Sequence, residues 1–558
     1  MLLCLSVAGA SAPSYDDPRL AAYELYRTSA QRGDAQTILY LARESSSFLR
    51  YRAARHLTTL DTAAEVQLEA YRIALELHPY DSLDRRVETD LRLGLAASAE
   101  RVGNVGEAVE AYSEALPHER AVAGLKRLEQ RPLKLAQQFM DARLYEDALD
   151  ALGDRAVPSL EATAQRRLGN YREALDAYER WLAEEPANAT ALLGKAWTLF
   201  YLEENEAADA LFASLSDDTA HYGRGLIAQR RGDAEAAVTH LSASDAPYHL
   251  WLAANLLEER DYLTRATEPY RRLAASTSPY ADDAAYRLHV LHERYGVGEA
   301  AEPPPTDSLN QFFRLKLGLP LELPAGSSLP ARQPEVLALA DALVKAGDSE
   351  AATGELVAAL RRSEDEATAM TLAEKLQALG EFRQSQLAAE RYLRGGSRDL
   401  RTWRAAFPRA YRQQVEAAAL TEATDPALIW AVMWQESRFV PRATSRTGAK
   451  GLMQFVPSTW TWVAELRDET PGDPYDPEQS IRYGATYLAW LSDYFGGDLE
   501  LIIPAYNGGQ GYIRRTFESE QVAEDKDDFY RFIDRLEPRE YLQAVSYVYE
   551  VYRALYAQ

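Results

Sequence analysis

Cysteine is almost missing from this chain. The only one, Cys4, sits in the apolar opening MLLCLSVAGASAP. The small residues Ala8, Gly9 and Ala10 read as the end of a secretory signal with an A-x-A cleavage site over residues 1–12, although a basic n-region is lacking. A chain that has shed Cys4 carries no disulfide and no thiol chemistry. Histidine is confined to the earlier part: none of the eight lies beyond His292. The C-terminal part therefore offers no imidazole base and no histidine metal ligand, which excludes histidine triads and zinc chemistry there. No metal or organic cofactor is indicated. Long apolar runs are lacking too, since nothing after the start approaches the roughly 18 residues of a membrane span. Basic charge is in deficit, with 61 Lys and Arg against 85 Asp and Glu and a net charge of −24. Such a chain repels nucleic-acid backbones. One basic stretch departs from that balance: Arg438, Arg442, Arg446 and Lys450 follow one another without an intervening acid.

What is present is helix pattern. The chain has 558 residues, 47% of them hydrophobic, enough for several domains. From residue 13 to about 300 it is rich in Ala, Leu, Glu and Arg with short breaks, which predicts an all-α segment. Leu168-Gly169-Asn170-Tyr171-Arg172-Glu173-Ala174-Leu175, followed by Tyr178, Leu182, Pro186 and Asn188, resembles a tetratricopeptide unit. Leu202 and Ala208 recur about one 34-residue period later. Helix pairs of this kind bury their apolar faces only by stacking, so a solenoid is expected, with Tyr171 and Tyr178 in its core. Residues 301–334 shift to Pro and Gly and predict a linker with a short helix near Leu309 to Leu317. Further helical pairs are expected over 335–400, and a separate domain over 401–558, led in by Trp403, Phe407 and Tyr411.

That last domain is organised around Asp425 to Trp460. Asp425 and Pro426 read as an N-cap and first helical residue. Spacing of three and four puts Ile429, Val432, Met433, Glu436 and Val440 near one face, so a carboxylate ends an apolar stripe. Two readings of Glu436 compete. It is either a residue of a fraying last turn paired with Arg438, or a carboxyl held against apolar walls that keeps its proton and can donate it. Gly448 and Gly451 bracket a loop, and Gly451-Leu452-Met453-Gln454 is expected to open a second helix whose Gln454 amide points to the same cleft. Downstream, Ala505-Tyr506-Asn507-Gly508-Gly509 places Tyr506 at a turn. Asp476 and Pro477 read as another capped helix start. Lys450, without apolar shelter, is a weak base for a Ser or Thr nucleophile, which leaves a carboxylic acid as the chemistry on offer.

Glu436-Ser437, then GLMQ at Gly451 to Gln454, then AYN at Ala505 to Asn507 resembles the ordered signature of the soluble lytic transglycosylases, whose catalytic domain is similar to goose-type lysozyme. Ser445 stands in the loop where that family carries a serine. Glu537-Pro538-Arg539-Glu540-Tyr541 resembles its Glu-Thr-Arg-x-Tyr segment, with Pro538 in place of Thr. The resemblance covers about the last 150 residues. It implies a lysozyme-like domain after an α-helical superhelix, and an exported enzyme of the periplasm or cell envelope acting on peptidoglycan glycan strands. It implies further that Glu436 acts first as acid and then as base, leaving a 1,6-anhydromuramyl product. Ser445, Met453, Gln454, Tyr506, Asn507, Glu537 and Tyr541 would bind or orient substrate, and the basic loop would meet stem-peptide carboxylates. Envelope proteins meeting the solenoid are a second class of partner. A hydrolytic muramidase using the same Glu436 and a non-catalytic glycan-binding scaffold are the rival readings.

Overall fold

The computed structural model describes residues 18–45, 47–77, 85–129, 131–299, 311–321, 323–445, 447–519, 526–533 and 535–557. The expected signal segment with Cys4, the Pro303 to Pro305 run and Arg446 lie outside them. Among the described residues the fold is all-α, a solenoid of helix pairs followed by a lysozyme-like domain. Its only β pairing is two isolated bridges, Thr444 with Lys450 and Lys450 with Phe455. No described helix is long and apolar enough to cross a membrane.

Contacts gather the chain into two units, and their borders differ from the composition breaks: residues 1–128 group with 326–408, and 129–325 group with 409–558. In the first unit, helices Pro18–Arg32 to Glu119–Leu128 are joined by helices Val336–Lys345 to Leu400–Ala406. The Tyr23 hydroxyl donates to the buried Glu355 at 2.8 Å. Asp348 caps its own helix by accepting from Ala351 N and also receives Arg52 Nη1 at 2.6 Å. The Pro-rich connection ends on Asp399, whose carboxylate accepts from Ser327 Oγ and from the backbone N–H of Ser328 and Leu329. Trp403 and Phe407 stack on each other within this unit, and Tyr411 belongs to the other.

In the second unit, helix pairs from Pro132–Asp141 to Ala281–Tyr295 stack in chain order. Tyr178 is core, as expected, whereas Tyr171 stays partly exposed and stacks on Tyr201. The expected short helix of the linker is Phe312–Lys316. Phe313 packs against Tyr286 and Tyr530, which ties this helix both to the stacked pairs and to the C-terminal part of the chain. A buried ionic group joins the same segments: the Glu258 carboxylate accepts from Arg287 Nη2 at 2.9 Å and from Arg531 Nη1 at 2.6 Å.

Two helix starts in the C-terminal part follow their sequence signals: Asp425 and Asp476 each accept a backbone N–H at the head of a helix, and Asp498 does the same without having been singled out. The expected helix from Gly451 does not form. Gln454 has φ of 50°, Lys450 pairs with Phe455, and helix begins only at Pro457–Leu466. Tyr506 is likewise not in a turn. It lies in the last turns of helix Leu499–Gly508, before Gly509 at φ 88°.

Candidate active site

Helix Pro426–Glu436 is apolar all round, and residues Ala427 to Met433 are buried. A helix of that kind must be enclosed by neighbours, and the long C-terminal helix Leu536–Tyr556 provides the main wall. Trp430 stacks on Tyr552 at 5.8 Å and donates its indole N–H to Ala410 O at 2.8 Å. The two helices are antiparallel and joined at both ends. Asp425 Oδ2 accepts from the Tyr549 hydroxyl at 2.8 Å, while Glu436 Oε1 accepts from the Tyr541 hydroxyl at 2.8 Å.

Glu436 is the last residue of its helix, where the negative end of the dipole gives a carboxylate no help. The chain then turns sharply, with Arg438 at φ 50° and Phe439 at φ 65°. Two successive side-chain-bearing residues in the left-handed region cost of order 1–3 kcal/mol each and persist only where surroundings impose them. Ser437 holds the turn, its Oγ accepting from Phe439 N at 3.2 Å, and Phe439 is buried beneath it. Arg438 places its guanidinium over the Trp434 ring, 3.4 Å from the centroid.

The Glu436 side chain is only partly shielded from solvent, yet its carboxyl lies deep enough for burial to push its pKa up to about 8. The Tyr541 hydrogen bond pulls the other way, and the charge of Glu537 adds to the rise. Glu436 is therefore largely protonated at neutral pH. Tyr506 and Tyr541 are both raised well above 10 by burial and by the neighbouring Glu436, so they remain hydroxyl donors. Their rings lie parallel, 6.4 Å apart, and Tyr506 donates to Met453 O at 2.9 Å.

Of the residues singled out in the sequence, the fold thus gathers Glu436, Tyr541, Tyr506 and Met453. Met453 takes part through its carbonyl, because its side chain is fully buried. Asn507 donates to the exposed Glu537 at 3.2 Å. Gln454 ties its own loop, its amide nitrogen donating to Gly451 O at 2.8 Å and Ala443 O at 3.2 Å. Ser445 is exposed at that loop and caps Ala449 N. Of the basic loop, Arg442 and Lys450 both approach the Tyr475 ring.

Two glycines set these approaches. Gly451 has φ of 80°, and a Cβ there would lie 2.0 Å from Pro474 O. Gly508 leaves room for Pro538, which a Cβ would meet at 2.8 Å. Pro538 itself stands in the first turn of its helix, where a missing N–H breaks no intrahelical bond. The exchange of Thr for Pro therefore leaves Glu537 and Tyr541 on a sound helix. Sequence reasoning missed Tyr549, whose only signal is its place two turns after Tyr541 on one helix face. No described group of three or more His, Cys, Asp or Glu is placed to hold a metal ion.

The site is an all-α domain beside stacked helix pairs, with one glutamic acid whose pKa burial raises and whose neighbours are buried tyrosines. Residues 413–529 match the transglycosylase SLT domain family. It is 34% identical over 148 residues to membrane-bound lytic murein transglycosylase C of Edwardsiella ictaluri, a stretch that is 24% of this chain and 40% of that one. It is 30% identical over 150 residues to the soluble lytic murein transglycosylase of Escherichia coli K12, 26% of this chain and 23% of the relative. The matched stretch thus spans less than half the length of either relative. The crystal structure of the 70 kDa soluble lytic transglycosylase of Escherichia coli shares the fold, with a TM-score of 0.55, 17% identity and 98% of each chain covered.

Proposed function

We propose that this protein is a peptidoglycan lytic transglycosylase that cleaves the β-1,4 bond between N-acetylmuramic acid and N-acetylglucosamine and leaves 1,6-anhydromuramyl ends. The observation that carries the reading is the Glu436 carboxyl held by the Tyr541 hydroxyl in surroundings whose burial raises its pKa to about 8. Glu436 donates its proton to the glycosidic oxygen as the C1–O bond breaks, and becomes a carboxylate. Tyr541 then stabilises that charge, since a hydrogen bond to an ionised acceptor is about twice as strong as a neutral one. The carboxylate next takes the proton of the muramyl C6 hydroxyl, whose oxygen bonds to C1 of the same sugar. Glu436 ends protonated, and water is not consumed. An acid with a pKa near the working pH suits both steps, because neither proton transfer is strongly uphill.

Among the described residues, Glu537 is the acid whose charge acts on Glu436. It is exposed and engaged by Asn507, which suits substrate contact better than the holding of a second, hydrolytic water. Gln454 and Ser445 shape the loop beside the acid, and Arg442 and Lys450 offer charge to stem-peptide carboxylates. We assign the catalytic part to residues 401–558 and an exported, envelope location to the chain, with the stacked helices free to meet envelope proteins. Mass analysis of muropeptides released from purified sacculi tests the reading. Anhydro ends support it, whereas reducing ends alone would make the protein a hydrolytic muramidase. No release at all would leave a glycan-binding scaffold.

A further inference from the structure

The first turn of the C-terminal helix presents two opposite faces. Glu537 and Tyr541, four apart, look toward Glu436; Leu536, Arg539 and Gln543 look the other way. On that second face lies a cavity of about 390 Å³, walled by Tyr248, Trp251 and Tyr280 from the stacked helices and by Tyr512, Arg531 and Arg539 from the C-terminal part. Its size is in the range of small-molecule sites, and its wall combines aromatic faces with polar side chains, Arg539 and Arg531 among them.

Arg539 is the unusual member. It is only 5% exposed, its guanidinium rests 4.9 Å from the Trp251 centroid and 5.1 Å from that of Tyr280, and its Nε–H has no hydrogen-bond partner. The nearest carboxylate, Asp283, is 4.0 Å from Nη2 and spends one oxygen on Gln543 Nε2 at 3.1 Å. Burial raises Asp283 to about 7, so it neutralises Arg539 incompletely. Arg531, by contrast, is held by Glu258. A buried donor left without a partner costs free energy and calls for an explanation.

We infer that this cavity is a second ligand site, separate from the Glu436 cleft, which takes a small monocarboxylate with a planar or apolar body, its carboxylate on Arg539 and its body between the tyrosine and tryptophan faces. The guanidinium fork matches a carboxylate in shape and charge. A dianion such as phosphate fits worse, because Asp283 stands beside Arg539 and the exposed Glu259 stands at the rim. The inference is independent of the chemistry assigned to Glu436.

Hippurate, a carboxylate joined to a ring through an amide, is a suitable probe, with its carboxamide as the neutral control. Titration of the full chain, followed by calorimetry and by tryptophan fluorescence, should show hippurate binding. The carboxamide should bind about 10- to 100-fold more weakly, the share of one charge-assisted pair. Tyr248→Ala, at a 43% exposed wall residue, should weaken binding without unfolding the chain. Arg539→Lys should keep the charge but lose the fork, again weakening hippurate, and Trp251→Phe should remove the fluorescence response. Glu436→Gln should leave hippurate affinity unchanged. Equal binding of acid and carboxamide, binding of inorganic phosphate as tight as hippurate, or no binding of any probe would each overturn the site and leave Arg539 a packing residue. Loss of hippurate binding in Glu436→Gln would do so too, by placing the probe in the other cleft.

Discussion

Replacing Glu436 with Gln tests the buried proton without reference to any substrate. The carboxyl has an ordinary pKa of 4.5 when the chain is unfolded and about 8 when folded. Below 4.5 both states hold the proton and the group is silent. Between the two values the folded state binds a proton that the unfolded state has released, so stability falls as pH rises; above about 8 the loss is complete. The span from 4.5 to about 8, at about 1.4 kcal/mol per pH unit, sets a ceiling of about 5 kcal/mol. The side chain keeps some contact with solvent, and screening brings the expected value down to about 2–4 kcal/mol. Gln carries no titrating proton and imitates the neutral acid. Urea unfolding of both proteins at pH 4.5, 6, 7 and 8.5 should therefore give matching midpoints at the acid end and a variant that gains steadily toward the alkaline end. The same variant should lose at least two to four orders of magnitude in muropeptide release, the usual share of a positioned acid and base. A stability difference that stays flat across this range would show that Glu436 ionises as an ordinary surface acid, and the mechanism would fall with it.

Tyr541→Phe removes the one hydrogen bond that lowers the pKa of Glu436. A bond to a charged acceptor contributes about 1.5–3 kcal/mol, so the alkaline limb of the activity profile should move up by about one to two pH units while the rate falls. An unmoved limb would detach Tyr541 from the acid. Gly451→Ala forces a Cβ onto Pro474 O at φ 80° and should destabilise the C-terminal part by about 2–4 kcal/mol in urea unfolding; a loss under 0.5 kcal/mol would contradict the packing described. Glu258→Ala removes the carboxylate shared by Arg287 and Arg531 and should cost about 3–5 kcal/mol, as breaking a buried ion group usually does. An unaltered melting curve would count against that join.

Local signals in the sequence were reliable where the chemistry was local. Asp425-Pro426 and Asp476-Pro477 mark helix starts because a carboxylate and a ring satisfy the first turn whatever surrounds them. The helix expected from Gly451 failed for local and tertiary reasons together: its GLMQ residues are held in a turn by the bridge of Lys450 to Phe455 and by Gln454 bonding back to Gly451 O, and Met453 gives its N–H to Ser480 Oγ and its carbonyl to the Tyr506 hydroxyl. The apolar run ending at Glu436 was legible, but the helix is buried all round and stops at Glu436, so Val440 does not share its face, and the acid's partner Tyr541 lies 105 positions later where no local pattern points to it. The same gap hid the packing of Tyr23 against Glu355. Arg539 was visible only as one letter of a motif, because its burial depends on Trp251 and Tyr280, far away in the chain.

The paired tyrosine bonds at the two ends of helix Pro426–Glu436 make a vernier of it. Tyr541 and Tyr549 sit eight residues apart on a rod that rises about 1.5 Å per residue, so a slide of one turn along the neighbouring rod would unseat both phenols together. The acidity at one tip is in this way keyed to alignment at the other. A change at Tyr549, remote from any sugar, should be felt as an altered proton affinity at position 436.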